Sequence, residues 1–140
     1  MIDAKFESAN KQGKAVAPEA VTALLESAVL NPSEYRERYG SWDDAAFTRV
    51  LLAQSKDYNL VLTCWDRAQF SPVHDHDGSA SWVKVLEGDL HEALYNLSES
   101  QDSDGEQRLE LSRSGSLPPD SVTFNGPSAI HGCSNVGSKR

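Results

Sequence analysis

His74-Asp75-His76 lies in a strand-like stretch, and a third histidine, His131, follows 55 residues after His76 with Asn135 just beyond it. Residues two apart on a strand point to the same face, so His74 and His76 present two imidazoles side by side. A later strand that delivers His131 to them completes a nitrogen-only cage, able to hold a metal and leave positions open for a substrate. The chain has four histidines, so this arrangement leaves only His91 outside it. Bringing two distant strands to one mouth favours a small antiparallel β-barrel.

At 140 residues the chain is long enough for one core and too short for two. A net charge of −8 argues against nucleic acid as a partner, since that binding relies on Lys and Arg neutralising phosphates. Anionic membrane surfaces are disfavoured for the same reason. No apolar run approaches the roughly 20 residues of a membrane span. Residues 1–17 carry scattered Lys, Asp and Glu, unlike a secretory leader, and read as a flexible N-terminus. Cys64 and Cys133 read as reduced thiols of a cytoplasmic protein, because a small secreted domain held by disulfides usually carries more cysteines.

Pro18 opens a segment with apolar residues at Val21, Leu24, Leu25, Ala28 and Val29, one face of a helix. Asn31-Pro32-Ser33-Glu34 reads as a second helix start, with Asn as cap, Pro at the first helical position and Glu three residues on; Gly40 is its stop. Beyond about residue 46 the period becomes strand-like. Val50-Leu51-Leu52 and Leu60-Val61-Leu62 flank a polar turn and suggest a hairpin. Trp82 to Leu86 and Leu90 to Tyr95 flank Glu87-Gly88-Asp89 and suggest a second. Ser98 to Gln107 reads as an exposed loop, and Arg108–Ser112, Val122–Phe124 and Ile130–Ser134 as further strands. Short helices followed by many short strands make an α+β protein whose body is a β-sandwich or barrel.

Alone, a His-x-His pair is also what two polar residues at a strand end look like. Three details favour the metal reading. Ser71-Pro72 can turn the chain into the pair, Gly88 lies twelve residues after His76 where a turn should return the chain, and His131 sits on a strand of its own. Together they match the two-part metal motif of cupin barrels, His-x-His-x4-Glu-x6-Gly and later His-x3-Asn. Here it runs His74, His76, Ser81 at the Glu position, Gly88, His131 and Asn135. Ser81 replaces a carboxylate ligand with a neutral hydroxyl, leaving three imidazoles, a seat suited to a substrate that brings its own anion, such as a thiolate. Imidazole accepts iron, zinc, copper or nickel, so ligand type alone does not choose the metal. Cys133, two residues after His131, would share the metal-facing side if that strand is regular, as a small core residue or a soft ligand.

From about Pro18 to Val136 the chain resembles the cysteine dioxygenases, non-haem iron enzymes of the cupin superfamily. The resemblance rests on Asn31-Pro32, Phe47-Thr48-Arg49, Tyr58-Asn59-Leu60, Cys64-Trp65, His74-Asp75-His76 through Leu86-x-Gly88-x-Leu90, and Asn125 to Asn135. It implies a single cupin-like domain over 18–140, with helices at about 18–40 and an antiparallel barrel at about 46–136. It also implies iron(II), Fe(2+), on His74, His76 and His131. L-cysteine would bind through thiolate and amine, and both atoms of O2 would pass to sulfur to give cysteine sulfinate, a step of cysteine catabolism and taurine biosynthesis. Arg49 falls where the family holds the substrate carboxylate, and a guanidinium fork suits that task. A monomer acting on small molecules in the cytoplasm is the corresponding expectation.

The chain departs from the family pattern at three points. Ser81 stands where animal members carry a cysteine cross-linked to a tyrosine, and a serine cannot form that thioether. Phe47 stands where they carry a tyrosine. The sequence ends at Arg140, before strands that close the family's barrel and supply a Ser-His-Tyr group beside the iron. The barrel is therefore expected to be incompletely closed, with the His131 strand at an unpaired edge and partners behind the ligands missing. The competing readings are an inactive cupin that binds metal or a partner, a dioxygenase of another small thiol such as 3-mercaptopropionate, and a zinc or manganese cupin isomerase. Arg49 favours cysteine over 3-mercaptopropionate.

Overall fold

The computed structural model describes residues 16–101 and 103–138. The N-terminal segment expected to be flexible lies outside the described residues, apart from positions 16 and 17.

Helix α1 (Pro18–Ser27) begins on proline at its first turn, with Glu19 placed where the helix dipole favours an anion. Val21 and Leu25, one turn apart, are its buried residues. The apolar period continues to Val29 in the sequence, but the helix does not. Asn31 must be extended ahead of Pro32 and serves as cap of the next helix, so α1 stops at Ala28 and Val29 is 99% exposed. Helix α2 (Pro32–Tyr39) starts as expected, with the Asn31 side chain accepting from Ser33 N–H at 3.2 Å. Gly40 ends it at φ −60°, so a left-handed backbone is not why glycine is needed. A Cβ there would lie 2.3 Å from the Arg36 carbonyl oxygen, and lack of space is the reason.

Strands β1 (Thr48–Gln54) and β2 (Asn59–Cys64) form the expected hairpin, with a bulge between Leu51 and Ala53. Ser55 builds the turn: its N–H donates to the Tyr58 carbonyl and its hydroxyl accepts from Asp57 and Tyr58 N–H. The second expected hairpin does not form. Strand β3 (Ser81–Lys84) pairs with β6 (Val122–Asn125), whereas β4 (Leu90–Gln101) lies between β5 (Gln107–Leu117) and β7 (Ile130–Asn135). Both edges of β4 are occupied, so β3 has no place beside it. Glu87-Gly88-Asp89, with Gly88 at φ +71°, carries the chain from one sheet to another. The loop expected at 98–107 is shorter than the sequence suggests. β4 runs on to Gln101 and β5 begins at Gln107, so among the described residues only the exposed stretch 103–106 keeps the expected loop character, and Ser98 is buried with its hydroxyl against that of Ser100.

All pairings are antiparallel, and among the described residues the strands form three separate sheets, not a closed barrel. The edge of β7 is another correction. Residues 68–74 run antiparallel along it, through bonds between Ala68 and Asn135, Gln69 and Asn135, Ser71 and Cys133, and a two-way pair between His74 and His131. The His131 strand is therefore flanked on both sides, and β5 carries the outer edge of its sheet. Helix α1 packs on β3 and β6, with Trp82 Nε1 donating to the Thr22 hydroxyl at 3.1 Å. The apolar core is thin: Val21, Leu25, Cys64, Val85 and Cys133 are buried, beside Glu92, Ser98, Asn125, His131 and Asn135. A core that is half polar must satisfy those groups internally. Around His131 it does so for Glu92 and the imidazole itself, while Asn125 Oδ1 and the Ser81 hydroxyl stay unpaired.

Candidate metal centre

His131 is delivered by β7, whose burial alternates so that His131, Cys133 and Asn135 face inward. His74 is its direct partner across the antiparallel bridge, with His74 N–H donating to His131 O and His131 N–H to His74 O, each at 2.9 Å. Directly opposed residues share a face, so the two rings meet, 4.7 Å between centroids. His76, two residues on, brings its ring to 5.1 Å from His74 and 5.0 Å from His131. The turn that follows is held by Asp77 N–H donating to the Asp75 carboxylate and by Gly78 at φ +80°. The three histidines therefore converge, with one ring nitrogen of each within 4.8 Å of the others.

The outer nitrogens are already committed. His74 Nδ1–H donates to the Pro72 carbonyl at 2.8 Å. His131 Nδ1 lies 2.9 Å from Glu92 Oε1, and since a carboxylate only accepts, that nitrogen carries the proton. The Nε2 lone pair of His131 is thereby aimed inward, 2.9 Å from Nε2 of His76. Two ligand nitrogens, each about 2.1 Å from one metal and a right angle apart, lie about 3.0 Å from each other. The donor set and this spacing fit a first-row divalent cation, which would take the place of the hydrogen bond between His76 and His131. Burial, then the charges of His131, His74 and Arg49, hold the His76 imidazole below its usual 6.5 against the pull of Asp75. That keeps it in the neutral form a metal requires.

Behind His131 stands a group with no counterpart in the sequence reading. Glu92, on β4 and only 4% exposed, accepts from His131 and from Asn125 Nδ2 at 2.7 Å on Oε1, and from the Thr123 hydroxyl at 3.1 Å on Oε2. Burial alone would raise its carboxyl, but these three bonds outweigh it and hold the group below its usual 4.5. One signal for it was available: Leu90-x-Glu92-x-Leu94 places a carboxylate on an otherwise apolar strand face. The partners expected to be missing behind the ligands are thus present in another form.

Ser81 is paired directly with Asn125, so its side chain shares the face of the Glu92 and His131 group. Its hydroxyl and Asn125 Oδ1 are buried without hydrogen-bond partners, leaving spare polar capacity beside the site. Cys133 does lie on the metal-facing side of its strand. Its thiol is pushed up to about 12, by burial and then by Glu92, which makes it a packed thiol and not a ready ligand. Arg49 is exposed on β1, close enough for its charge to act on His76. Phe47 stacks on Trp65, 4.4 Å between centroids. His91 points to the opposite face of β4 from Glu92 and lines a cleft of about 400 Å³ with Phe70, Tyr95 and Leu111. Cys64 and Cys133 are both free. No described helix is long and apolar enough to cross a membrane.

Residues 9–140 match the family described as cysteine dioxygenase type I. The chain is similar to cysteine dioxygenase type 1 of Rattus norvegicus, 36% identical over 85 residues, which cover 60% of this chain and 42% of that protein. It is 34% identical over 84 residues to cysteine dioxygenase type 1 of Homo sapiens, covering 59% and 42%. The matched region thus spans about two fifths of the length of these relatives. A crystal structure described as TT1209 from Thermus thermophilus shares the fold, with TM-score 0.54, 21% identity and coverage of 74% of this chain and 83% of that one. This chain belongs to the cysteine dioxygenase type I family.

Proposed function

We propose that this member of the family is an iron(II)-dependent dioxygenase converting L-cysteine and O2 to cysteine sulfinate, with residues 18–140 acting as one cupin-like unit in the cytoplasm. The observation that carries the reading is the convergence of three imidazoles, with Nε2 of His76 and of His131 2.9 Å apart. Bound iron(II) supplies the redox centre at which oxygen can be joined to a thiol sulfur.

The chain's own residues hold, orient and neutralise. His74, His76 and His131 hold the cation without adding charge, so an incoming thiolate meets a site still positive overall. Ser81 supports this, because the carboxylate of the wider cupin motif would compete with such an anion. Arg49 is the anchor for the substrate carboxylate; a guanidinium offers two parallel donors to it, and one fixed end orients the thiol. Its positive charge also helps keep His76 unprotonated. The protein works on small molecules, as a monomer, with no need of nucleic acid or membrane.

The test is direct. The purified chain is loaded anaerobically with iron(II), mixed with L-cysteine and air, and assayed for sulfinate by mass spectrometry. Sulfinate formed in step with oxygen uptake supports the reading. Oxygen uptake without sulfinate, or no uptake by an iron-loaded chain, overturns it in favour of a metal-binding module without turnover.

A further inference from the structure

The buried carboxylate of Glu92 accepts from three donors of its own chain, and its cost is high. It lies 4% exposed between two leucine positions, where an apolar side chain would pack without desolvating an anion. Three donors from two other strands close on it: His131 from β7, and Asn125 and Thr123 from β6. We propose, on the reading given above, that Glu92 is a positioning residue for the metal seat: it locks His131 as the Nδ1–H tautomer and so aims Nε2 at the point shared with His74 and His76.

The geometry makes the lock one-way. Oε1 receives both His131 Nδ1, at 2.9 Å, and Asn125 Nδ2, at 2.7 Å. An oxygen already held by Asn125 can only accept from the ring. Thr123 on Oε2 stops the carboxylate from rotating away. In the opposite tautomer the bare Nδ1 would face the carboxylate at 2.9 Å with no proton between them, offset only by the longer 3.3 Å contact with Asn125 Nδ2, which is already held by Glu92. The register supplies the distance. Leu94 pairs with His131 and Glu92 with Cys133, so Glu92 lies diagonally beside His131 on the same face. The anion also gives the three neutral ligands a negative charge one bond removed, which raises the basicity of His131 toward a cation.

The network predicts different outcomes for two substitutions. In Glu92→Gln, Asn125 still requires an oxygen at the Oε1 position, so the amide keeps its oxygen toward His131 and its nitrogen toward the Thr123 hydroxyl. The tautomer is then retained and only the charge is lost. Glu92→Ala loses both.

The experiment uses metal-free protein labelled with ¹⁵N-histidine and reads each ring's tautomer from long-range ¹H–¹⁵N correlations. Cobalt(II) and iron(II) affinities are measured on the same samples. Expected are a pure Nδ1–H form of His131 in the wild type and in Glu92→Gln, and a mixture in Glu92→Ala. Metal affinity should fall about 10–100-fold in Glu92→Ala and less in Glu92→Gln. A role confined to folding would lower the melting temperature without changing the tautomer of the folded fraction. An Nε2–H His131 in the wild type, or an unchanged tautomer in folded Glu92→Ala, overturns the proposal. Should Glu92→Ala not fold, the wild-type tautomer and its persistence in Glu92→Gln decide. A wild type that binds metal and shows the lock yet forms no sulfinate overturns the dioxygenase reading alone.

Discussion

Replacing Asn125 with alanine removes the shortest bond in the group behind His131. Asn125 is 1% exposed, and its Nδ2 donates to Glu92 Oε1 at 2.7 Å. A hydrogen bond to a charged group contributes about 1.5–3 kcal/mol. The void left by the lost amide adds on the order of 1 kcal/mol, since the site is fully enclosed. Asn125→Ala should therefore cost about 2.5–4 kcal/mol. Thr123→Val removes only the longer bond, at 3.1 Å on the other oxygen and in a half-buried position, with shape conserved. That bond should lie at the low end of the same range, about 1.5 kcal/mol. Urea titration followed by circular dichroism reads both values. Thermal melts should show a drop of about 10 °C for Asn125→Ala, at roughly 3 °C per kcal/mol for a chain of this size. The reasoning is refuted if Asn125→Ala costs less than about 1 kcal/mol, or no more than Thr123→Val. Either result would mean that Asn125 does not support the buried carboxylate.

Further expectations concern substrate, acid and thiol. Arg49→Ala should raise the KM for L-cysteine far more than it changes iron content, measured by steady-state oxygen uptake and metal analysis; equal loss of both would make Arg49 structural. The hydrogen bonds on Glu92 hold its folded carboxyl below the usual 4.5, so the unfolded chain takes up that proton first as pH falls. The stabilisation is complete above about pH 4.5, drains away below it through the lowered folded value, and should lose this dependence in Glu92→Gln, as read by stability between pH 6 and 3. With its thiol pushed up to about 12, folded Cys133 should resist iodoacetamide at pH 8, where only about one thiol in 10⁴ is ionised, and react on unfolding. Rapid labelling of the folded protein, mapped by mass spectrometry, would contradict its burial.

The triad was legible in the sequence because its geometry is local or set by strand period. His74 and His76, two residues apart, bring their rings together even though only His74 is bridged to a strand, and His131 needed only that strand. Asn31 and Pro32 likewise announced their helix through cap chemistry that operates within three residues. Sheet partnership beyond the first hairpin was not legible. Glu87-Gly88-Asp89 suits a hairpin and a corner between sheets equally well, and only the claim of β5 and β7 on β4 decides between them. The extension of β4 over 98–101 was hidden by its polarity, because backbone pairing with β5 holds it and not an apolar face. Glu92 looked like any strand glutamate; its meaning depends on Asn125 and Thr123, more than 30 residues away, arriving from another sheet.

Anaerobic titration of the purified chain with iron(II), by equilibrium dialysis, tests the central claim most directly. Wild type should bind one iron per chain, and His74→Ala, His76→Ala and His131→Ala should each weaken that binding by about 100-fold or more. Substoichiometric iron in a folded wild type, or undiminished binding in His131→Ala, would contradict a seat built from these three imidazoles.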